Sequence, residues 1–559
     1  MPRFKLRKGA TVGGLAAETD PLLSKAFVDL GYLHRVIDTD DPAFLIVGRT
    51  GSGKTALIKQ IKNASSDVSV LDPEELSMQY LHNSVLRTIA SWGVNLDIFY
   101  KYLWRHVCIL ELIRMRYGDA EDVPSRIQQI FPIAQIFKRD QTRTRQVSQD
   151  YLREYGEDYW VRTDTRIKKI TAEFEEKLTH DAKLSAALAN QISGSLGTDA
   201  TKRKASHVES EVQDRAQSIV SDFQISALNG VVDALEKYGF DDPQKKYFIV
   251  IDDLDKNWMP DDALYLDLIK SLLSSVHELN RRLRAVKIVV ALRENIYYRV
   301  FQKAQKHEPQ REKWEDVLIR VKWTDDELIR MVDDRLSEVF KAEYTSDVPT
   351  LRTLLPPRKS THAQDGLQYM ISRTFMRPRD IIDFVNKCLA GAAEGVSRIS
   401  WTNLTGSEIG YSEARLKAVI DEWRDSYFGL PALLPLLRKL GPRFTLKDVS
   451  DDDALSVLSS ERVPSCSWLQ ELQTRLLNNG EPTAEIKKEF LKALYLVGLT
   501  GIRQPHSHRT TYSFEKAIAP SQDLEDPQLS FAVHKMFHSA LGLHDPDSAA
   551  HAEKSGSPS

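Results

Sequence analysis

The sequence predicts an α/β fold built on a parallel sheet, and three stretches of the chain support this prediction. Phe44–Thr55 reads FLIVGRTGSGKT, an apolar strand followed by the pattern G-x-x-x-x-G-K-[ST], and the next residues, ALIKQIKN, have a helical pattern. Tyr247–Asp255, YFIVIDDLD, is a second apolar strand, which ends in acids. Ala285–Leu292 is a third, separated from the second by the strong helical pattern of Leu264–Leu283. Because strands that alternate with helices are typical of a parallel sheet, we expect an α/β P-loop NTPase.

The first stretch is predicted to bind phosphate. Its three glycines allow backbone conformations that a Cβ would hinder, so that successive N–H groups can surround phosphate oxygens at the N-terminus of the next helix. We expect Lys54 to reach the β- and γ-phosphates and the Thr55 hydroxyl to bind Mg²⁺. The predicted cofactors are therefore ATP or ADP with Mg²⁺. The predicted nucleotide-binding residues of this loop are Gly48, Arg49, Thr50, Gly51, Ser52, Gly53, Lys54 and Thr55.

The acids and the arginine that follow the other two strands are predicted to complete the site. Asp252 would hold the metal, and Asp253 would orient or deprotonate the attacking water. Arg293, after the strand Ala285–Leu292, would lie near the γ-phosphate and sense or stabilise its developing charge. The alternatives are that the acids cap the next helix and that Arg293 makes a surface salt bridge.

The order of these patterns predicts several domains in a chain of 559 residues. A helical pattern over 21–36 precedes the first strand, and Val68–Leu71, followed by Asp72-Pro73, is typical of a short strand and a turn. The range 76–246 has the character of a long helical insertion that extends partly from the body. Helical patterns also dominate from 346 to about 440. The expected boundaries are 1–40 for a lead-in and helix, 41–75 and 247–345 for the two parts of the NTPase domain, 76–246 for the insertion, 346–440 for a helical lid, 441–547 for a winged-helix-like domain and 548–559 for a disordered tail.

Composition excludes some classes of protein. The net charge of −3 argues against a global basic field, so any nucleic-acid site must be local. Three cysteines, far apart in the sequence, suggest a reducing compartment and no structural metal. The N-terminus lacks the apolar core of a signal peptide, and no run approaches the length of a membrane span. We therefore expect a cytoplasmic protein without a membrane partner.

Arginines recur in the second half of the chain. Trp323–Leu336 has the pattern of an amphipathic helix, with Trp323 as its N-terminal apolar anchor and Thr324 as its cap. Phe375–Asp380 reads FMRPRD, and Pro378 could begin a helix whose positive end carries Arg377 and Arg379. Since cations are disfavoured there, an anion or a carboxylate is the expected partner, with an interdomain salt bridge as the alternative. Arginines that could act in trans in a homo-oligomer are Arg320, Arg330 and Arg335.

These motifs, in this order, resemble those of STAND-class ATPases and of the related KAP and origin-recognition-like AAA+ branches. The residues that carry the resemblance are the P-loop, YFIVIDDLD, LRENI, the WTDDEL helix and FMRPRD. In more detail the chain resembles a group of bacterial P-loop ATPases often encoded near mobile-element or antiviral genes. The resemblance implies an ATP-hydrolysing switch, with Arg379 near the nucleotide. It also implies a separately encoded effector, or one within the insertion.

The C-terminal region resembles the winged-helix unit that closes over ADP in STAND proteins. There a Met-His-Asp motif contacts the β-phosphate, and FAVHKMFHSAL places His534 at the histidine position. Val533 and Lys535 replace the flanking Met and Asp, so a purely structural histidine is the alternative.

A DNA-binding ATPase of the initiator or loader type is the second hypothesis. Such a protein would insert the helix that precedes the wing into the major groove. The residues expected to contact DNA phosphates are Lys487, Lys488, Lys492, Arg503, His506, His508 and Arg509.

Overall fold

A computed structural model describes residues 5–7, 9–71, 96–118, 135–155, 222–240, 242, 245–254, 263–304, 312–341, 349–358, 364–424, 426–461, 463–505, 509–515 and 529–544. The chain forms two compact units. The first combines Met1–Leu30, Gly48–Ala56 and Val321–Ser559, and the second combines Gly31–Val47 and Leu57–Arg320. Each unit contains its own cluster of buried apolar side chains.

The second unit is built on a parallel sheet. Its strands are β1 (Leu45–Gly48), β2 (Val68–Leu71), β3 (Tyr247–Ile251), β4 (Val286–Arg293) and β5 (Leu318–Arg320), in the spatial order β2-β3-β4-β1-β5. The β2–β3, β3–β4 and β1–β5 pairs are parallel. Every residue of β3 is buried, which explains why its sequence is continuously apolar and does not alternate.

Helices pack around this sheet. Trp104 Nε1 of α3 (Asp97–Tyr117) donates to the backbone carbonyl of Leu268 in α6 (Ala263–Arg282) at 3.1 Å, and both helices contribute to the apolar core of this unit. The part of the insertion formed by α3 is therefore integrated into the α/β unit. The helices up to β5 are α1 (Tyr32–Ile37), α2 (Lys54–Ala64), α3 (Asp97–Tyr117), α4 (Gln135–Tyr155), α5 (Asp222–Ala234, followed by a π-helical turn at Leu235–Gly239), α6 (Ala263–Arg282), α7 (Glu294–Ala304) and α8 (Glu312–Glu315).

The first unit is mostly helical, with a small antiparallel sheet. This sheet has the order β6-β9-β7-β8, formed by Arg443–Thr445, Ser530–Val533, Thr500–Arg503 and Thr510–Thr511. Its helices are α9 (Asp325–Lys341), α10 (Leu351–Leu354), α11 (Gly366–Ile371), α12 (Pro378–Gly391), α13 (Trp401–Glu422), α14 (Leu434–Leu440), α15 (Asp451–Leu458), α16 (Ser467–Leu477), α17 (Thr483–Val497) and α18 (His538–Leu541).

The predicted helix over 21–36 is wrong for most of its length, because only Tyr32–Ile37 is helical and turns and bends cover 21–26. The buried Asp20 carboxylate accepts the N–H groups of Gly14 and Leu22 and holds the chain in a turn. Gly31 then adopts a left-handed conformation (φ +79°) and separates this segment from the short helix.

Other predicted elements are confirmed in each of the two units. Strands β2 and β3 have the predicted bounds, and Thr324 caps α9 by a reciprocal pair of hydrogen bonds with Glu327. Pro378 is the first residue of α12, as predicted. The described parts of 76–246 are helical, whereas much of that range and the tail 548–559 lie outside the described residues. The domain boundaries stay a prediction. No helix in the described ranges combines the length and the apolarity that crossing a membrane requires.

Candidate functional site

The glycine-rich loop after β1 has the backbone that its sequence predicts. Gly51 and Gly53 have positive φ angles of +78° and +106°. A Cβ added to Gly51 would lie 2.7 Å from the Cβ of Arg379, the second residue of α12. A side chain at Gly51 would therefore meet both backbone strain and a steric clash.

The carbonyl groups of five consecutive loop residues are bonded to donors within the first unit. The ammonium of Lys54 folds back over the loop and donates to two of them, and residues from α12, its cap and the chain before α9 donate to the other three. The bonds are Lys54 Nζ to Gly48 O (2.8 Å) and Arg49 O (3.2 Å), Arg377 Nη1 to Thr50 O (2.6 Å), the Arg379 N–H to Gly51 O (3.4 Å) and Trp323 Nε1 to Ser52 O (2.8 Å).

This pattern determines where two glycine N–H groups point. In a trans peptide the C=O of one residue and the N–H of the next lie in one plane and point in opposite directions. The N–H of Gly51 therefore points away from Arg377, and the N–H of Gly53 points away from Trp323. Helix α2 begins at Lys54, directly after them, and contributes the positive end of its dipole. Backbone N–H groups ahead of a helix N-terminus form a site for an anion such as phosphate.

The side chain of Arg49 points toward the C-terminal part of the first unit. Its Nη2 donates to Val497 O, at the last residue of α17 (3.1 Å), and its guanidinium lies 4.3 Å from the ring centroid of Phe375. Arg49 is thus a cation at the C-terminus of a helix, where the helix dipole favours it. These contacts suit an anchor for the loop, whereas the predicted contact of Arg49 with nucleotide stays a prediction.

The two arginines of FMRPRD have different surroundings. Arg377 is buried and pairs with Asp380 (2.8 Å) and Glu422 (3.3 Å), so its carboxylate partners are in salt bridges within the first unit. Arg379 Nε donates to Leu15 O (3.2 Å), and its backbone N–H contacts the loop. Burial and the neighbouring Arg377 lower the pKa of Arg379. An added anion would relieve this repulsion, so the prediction that Arg379 contacts nucleotide is kept.

In the second unit, three of the predicted residues lie along one edge of the sheet. Asp252 and Asp253 follow directly after β3, and Arg293 ends β4, which lies between β1 and β3. Because carboxyl ends of parallel strands meet at one edge, the acids and the arginine share the edge from which β1 leads into the glycine-rich loop. Asp253 has a φ of +54°, a conformation that is uncommon for residues other than glycine. Such outliers often occur at functional sites.

The donor set suits magnesium. Thr55 supplies a hydroxyl oxygen and Asp252 a carboxylate, and Mg²⁺ prefers such hard oxygen ligands. Among the residues that the structure describes, no cluster of three or more His, Cys, Asp or Glu could hold a metal. The assignment of Thr55 and Asp252 as magnesium ligands stays a prediction.

His534 lies in an aromatic cluster. Its Nδ1 accepts the N–H of Met536 (3.1 Å), and its ring packs against Phe375 and Tyr512 at centroid distances of 5.0 and 4.5 Å. Burial, together with the neighbouring His538 and Arg49, holds the pKa of His534 well below its usual range, so the imidazole is neutral. These contacts favour the structural alternative, and a contact between His534 and phosphate stays a prediction.

The three arginines proposed to act in trans are not equivalent. Arg335 is buried and pairs with Asp20 of its own chain at 2.7 Å, so it does not suit a second chain. Arg320 pairs with Glu315 at 3.5 Å, and Arg330 is exposed on α9. The homo-oligomer itself stays a prediction.

Glu422 and Trp323 also contact the loop, although the sequence did not predict this. Glu422, at the end of α13, accepts the N–H of Thr50 (3.3 Å), and the indole of Trp323 reaches Ser52. Trp323 was expected only to anchor a helix, and Glu422 belongs to no recognised motif. Because Glu422 is 372 positions from Thr50, no local pattern connects them.

The parallel sheet with its flanking helices fits an α/β P-loop NTPase. Residues 326–420, from α9 into α13, match the model of the FunZ-associated C-terminal helical domain. A search of curated proteins found no match. Among solved structures, the chain is similar to the Aeropyrum pernix ORC1 protein in complex with DNA, at 12% identity and a TM-score of 0.29 over 91% of this chain and 88% of that chain. Such a TM-score is too low to carry an argument about fold or function.

Proposed function

We propose that the protein is a Mg²⁺-dependent ATPase that works as a molecular switch, with ATP and ADP favouring different arrangements of the chain. The observation that carries this proposal is the loop Gly48–Thr55, whose carbonyls are bonded to neighbouring groups while the N–H groups of Gly51 and Gly53 point the opposite way. A strand before the loop and a helix after it provide the context that this motif requires.

The residues have separate roles in the proposed hydrolysis. The loop N–H groups and Lys54 bind the phosphates, while Thr55 and Asp252 would hold Mg²⁺, which neutralises phosphate charge when bound. Asp253 orients the attacking water and accepts its proton, and Arg293 stabilises charge on the γ-phosphate. Water adds to the γ-phosphorus as the bond to the β-phosphate oxygen breaks, giving ADP and phosphate.

The wider setting of the proposal comes from the sequence resemblance. We extend it to a regulatory ATPase of a bacterial antiviral or genome-conflict system that acts with a separately encoded effector. In this view α10–α14 form a helical lid, and the unit with β6–β9 and α17 is a winged helix that closes over the nucleotide.

Lys54→Ala and Asp253→Asn test the proposal. We expect Lys54→Ala to abolish ATP binding, and Asp253→Asn to bind ATP but to lose phosphate release by roughly a hundredfold or more. Asparagine is preferred to alanine because it tolerates the positive φ of Asp253. Equilibrium binding of labelled ATP and a phosphate-release assay measure the two effects.

Lys62→Ala is the matched control, since Lys62 is an exposed lysine on the same helix as Lys54. It should bind and hydrolyse ATP like the wild type. Turnover by Asp253→Asn at the wild-type rate would remove the role given to Asp253. Unchanged ATP binding by Lys54→Ala would refute the nucleotide site.

The second candidate, a DNA-associated ATPase, is supported by the four-stranded antiparallel sheet next to α17. The basic residues there already have acidic partners. Lys487 lies 2.6 Å from Asp451, and Arg509 lies 2.7 Å from Glu515. DNA binding would have to compete with these pairs, so we favour the switch.

Fluorescence anisotropy with duplex DNA at low and moderate salt distinguishes the two functions. The DNA hypothesis predicts binding that weakens steeply with salt and is lost in the triple variant Lys487→Ala, Lys488→Ala, Arg509→Ala. The switch hypothesis predicts that these three substitutions leave DNA binding unchanged.

A further inference from the structure

One ion pair holds both peptide groups that flank Thr50. Glu422 Oε1 accepts the Thr50 N–H (3.3 Å), and Glu422 Oε2 lies 3.3 Å from Arg377 Nη1. The same Arg377 nitrogen donates to Thr50 O at 2.6 Å. An acid at the end of α13 and an arginine that caps α12 therefore hold the backbone of a single loop residue from two sides.

The pair is charged although it is buried. Burial alone would raise the pKa of Glu422, but the neighbouring Arg377 and Arg49 lower it to about 2. Burial alone would likewise lower the pKa of Arg377. The carboxylates of Asp380 and Glu422 outweigh this effect and raise the pKa of Arg377. The carboxylate and the guanidinium thus remain ionised at neutral pH.

A buried ion pair is a poor source of stability. Its desolvation cost often equals or exceeds the attraction between the charges, so apolar residues of similar size can serve as well. What apolar residues cannot do is accept the Thr50 N–H and donate to the Thr50 carbonyl. The chemistry of this pair therefore suits a role in positioning the loop.

We infer that Glu422 is a positioning residue for the phosphate-binding loop, acting through Arg377 and the two peptide groups of Thr50. By fixing the Thr50 carbonyl, the pair fixes the plane of the next peptide and so directs the N–H of Gly51. Pre-oriented N–H groups bind phosphate more tightly, because less backbone freedom is lost on binding. This inference rests on the proposed nucleotide site, whereas its effect on the loop itself does not require nucleotide.

The chain contains a matched control on the same helix. Glu408 of α13 is buried and pairs with Arg373 at 2.8 Å. The side-chain exposures are similar, 8% for Glu422 and 7% for Glu408. Glu408 makes its described contacts with Arg373 and Tyr369 and none with the loop. Substitution of Glu408 therefore reports the cost of losing a buried carboxylate on α13 alone.

The test compares full-length Glu422→Gln, Glu408→Gln and the double variant Arg377→Met, Glu422→Met with the wild type. Hydrogen exchange over peptides spanning 48–56 without nucleotide measures loop order, binding of labelled ATP measures affinity, and thermal unfolding measures stability. We expect Glu422→Gln to raise loop exchange and to weaken ATP binding about tenfold. Glu408→Gln should affect only stability.

The double variant removes both side chains that hold Thr50, so we expect its loop to exchange faster and to bind ATP weakly. Since Arg377 also pairs with the buried Asp380 (2.8 Å), its unfolding temperature should fall as well. Wild-type loop exchange in Glu422→Gln and the double variant would overturn the inference. If the wild-type protein does not bind ATP, the proposed function fails, and loop exchange still decides whether Glu422 positions the loop.

Discussion

A single lysine illustrates how the second unit accommodates a buried charge. Lys287 lies on β4 and is only 2% exposed. Its ammonium donates to the backbone carbonyls of Asp38 (2.9 Å) and Asp41, in the turn that leads from α1 to β1. Burial lowers the pKa of Lys287 to about 8, and the nearby Asp41 and Asp38 only partly compensate. The lysine thus ties the entry of β1 to the neighbouring strand at an electrostatic cost.

This cost predicts a specific pH dependence. Since the folded-state pKa is about 8 and the ordinary value is 10.5, the unfolded chain binds more protons between these two pH values. The contribution of Lys287 to the free energy of unfolding should therefore rise with pH across this window, by up to about 1.4 kcal/mol per pH unit. Below pH 8 the contribution should be constant.

Urea unfolding of the wild type and of Lys287→Met, at about pH 7 and about pH 9.5, measures this effect. The wild type should gain stability relative to Lys287→Met by about 1–2 kcal/mol between the two conditions. Lys245→Met is the control, because Lys245 is an exposed lysine that pairs with Asp67 at 3.3 Å. A pH-independent difference between wild type and Lys287→Met would show that burial does not lower the pKa of Lys287 in the folded protein.

At the scale of helices and strands, the sequence predicted those elements that are determined by residues close together in the chain. The strands β2 and β3, the cap of α9 and the proline start of α12 follow from apolar runs and from residues within four positions. The three-residue strands β5 and β6 are too short to carry such a pattern, and their partners β1 and β9 lie far away in the sequence. The predicted helix over 21–36 failed because the buried side chain of Asp20 outweighed helical spacing.

The candidate site likewise combines residues of one continuous segment, which could be predicted, with contacts between distant segments, which could not. The loop glycines, Lys54 and the acids after β3 could be predicted, because each belongs to one continuous segment. The end of α17, in contrast, binds a residue of the loop, and nothing near Val497 in the sequence indicates this. Arg49 reaches its carbonyl, so a loop residue satisfies one of the C=O groups that a helix end leaves unpaired. Contacts of this kind require the tertiary structure.

At the scale of the whole molecule, the first unit is assembled from three separated segments of the chain. Leu6, Val12 and Val28 belong to the same apolar core as residues of α9–α18. A buried ion pair also connects the N-terminal segment to α9. Arg335 of α9 pairs with Asp20 at 2.7 Å and donates to Val12 O at 2.8 Å, and both charged side chains are at most 4% exposed. The N-terminal segment is therefore a structural part of the helical unit.

This attachment predicts that Asp20→Ala destabilises the first unit strongly. The substitution leaves the guanidinium of Arg335 buried without its carboxylate, and such a loss costs about 3–5 kcal/mol. It also removes the acceptor for the N–H groups of Gly14 and Leu22. Asp29→Ala, which changes an exposed carboxylate of the same segment, should alter stability by no more than about 0.5 kcal/mol.

Chemical denaturation, followed with limited proteolysis to locate the region that opens, measures both variants. The double variant Asp20→Ala, Arg335→Met should recover part of the loss, because it no longer buries an unpaired charge. Recovery identifies the ion pair as the origin of the effect, whereas equal loss in the single and double variants would assign it to the two backbone hydrogen bonds. If Asp20→Ala unfolds at the wild-type denaturant concentration, the N-terminal segment is not the structural part of the helical unit that its buried contacts indicate.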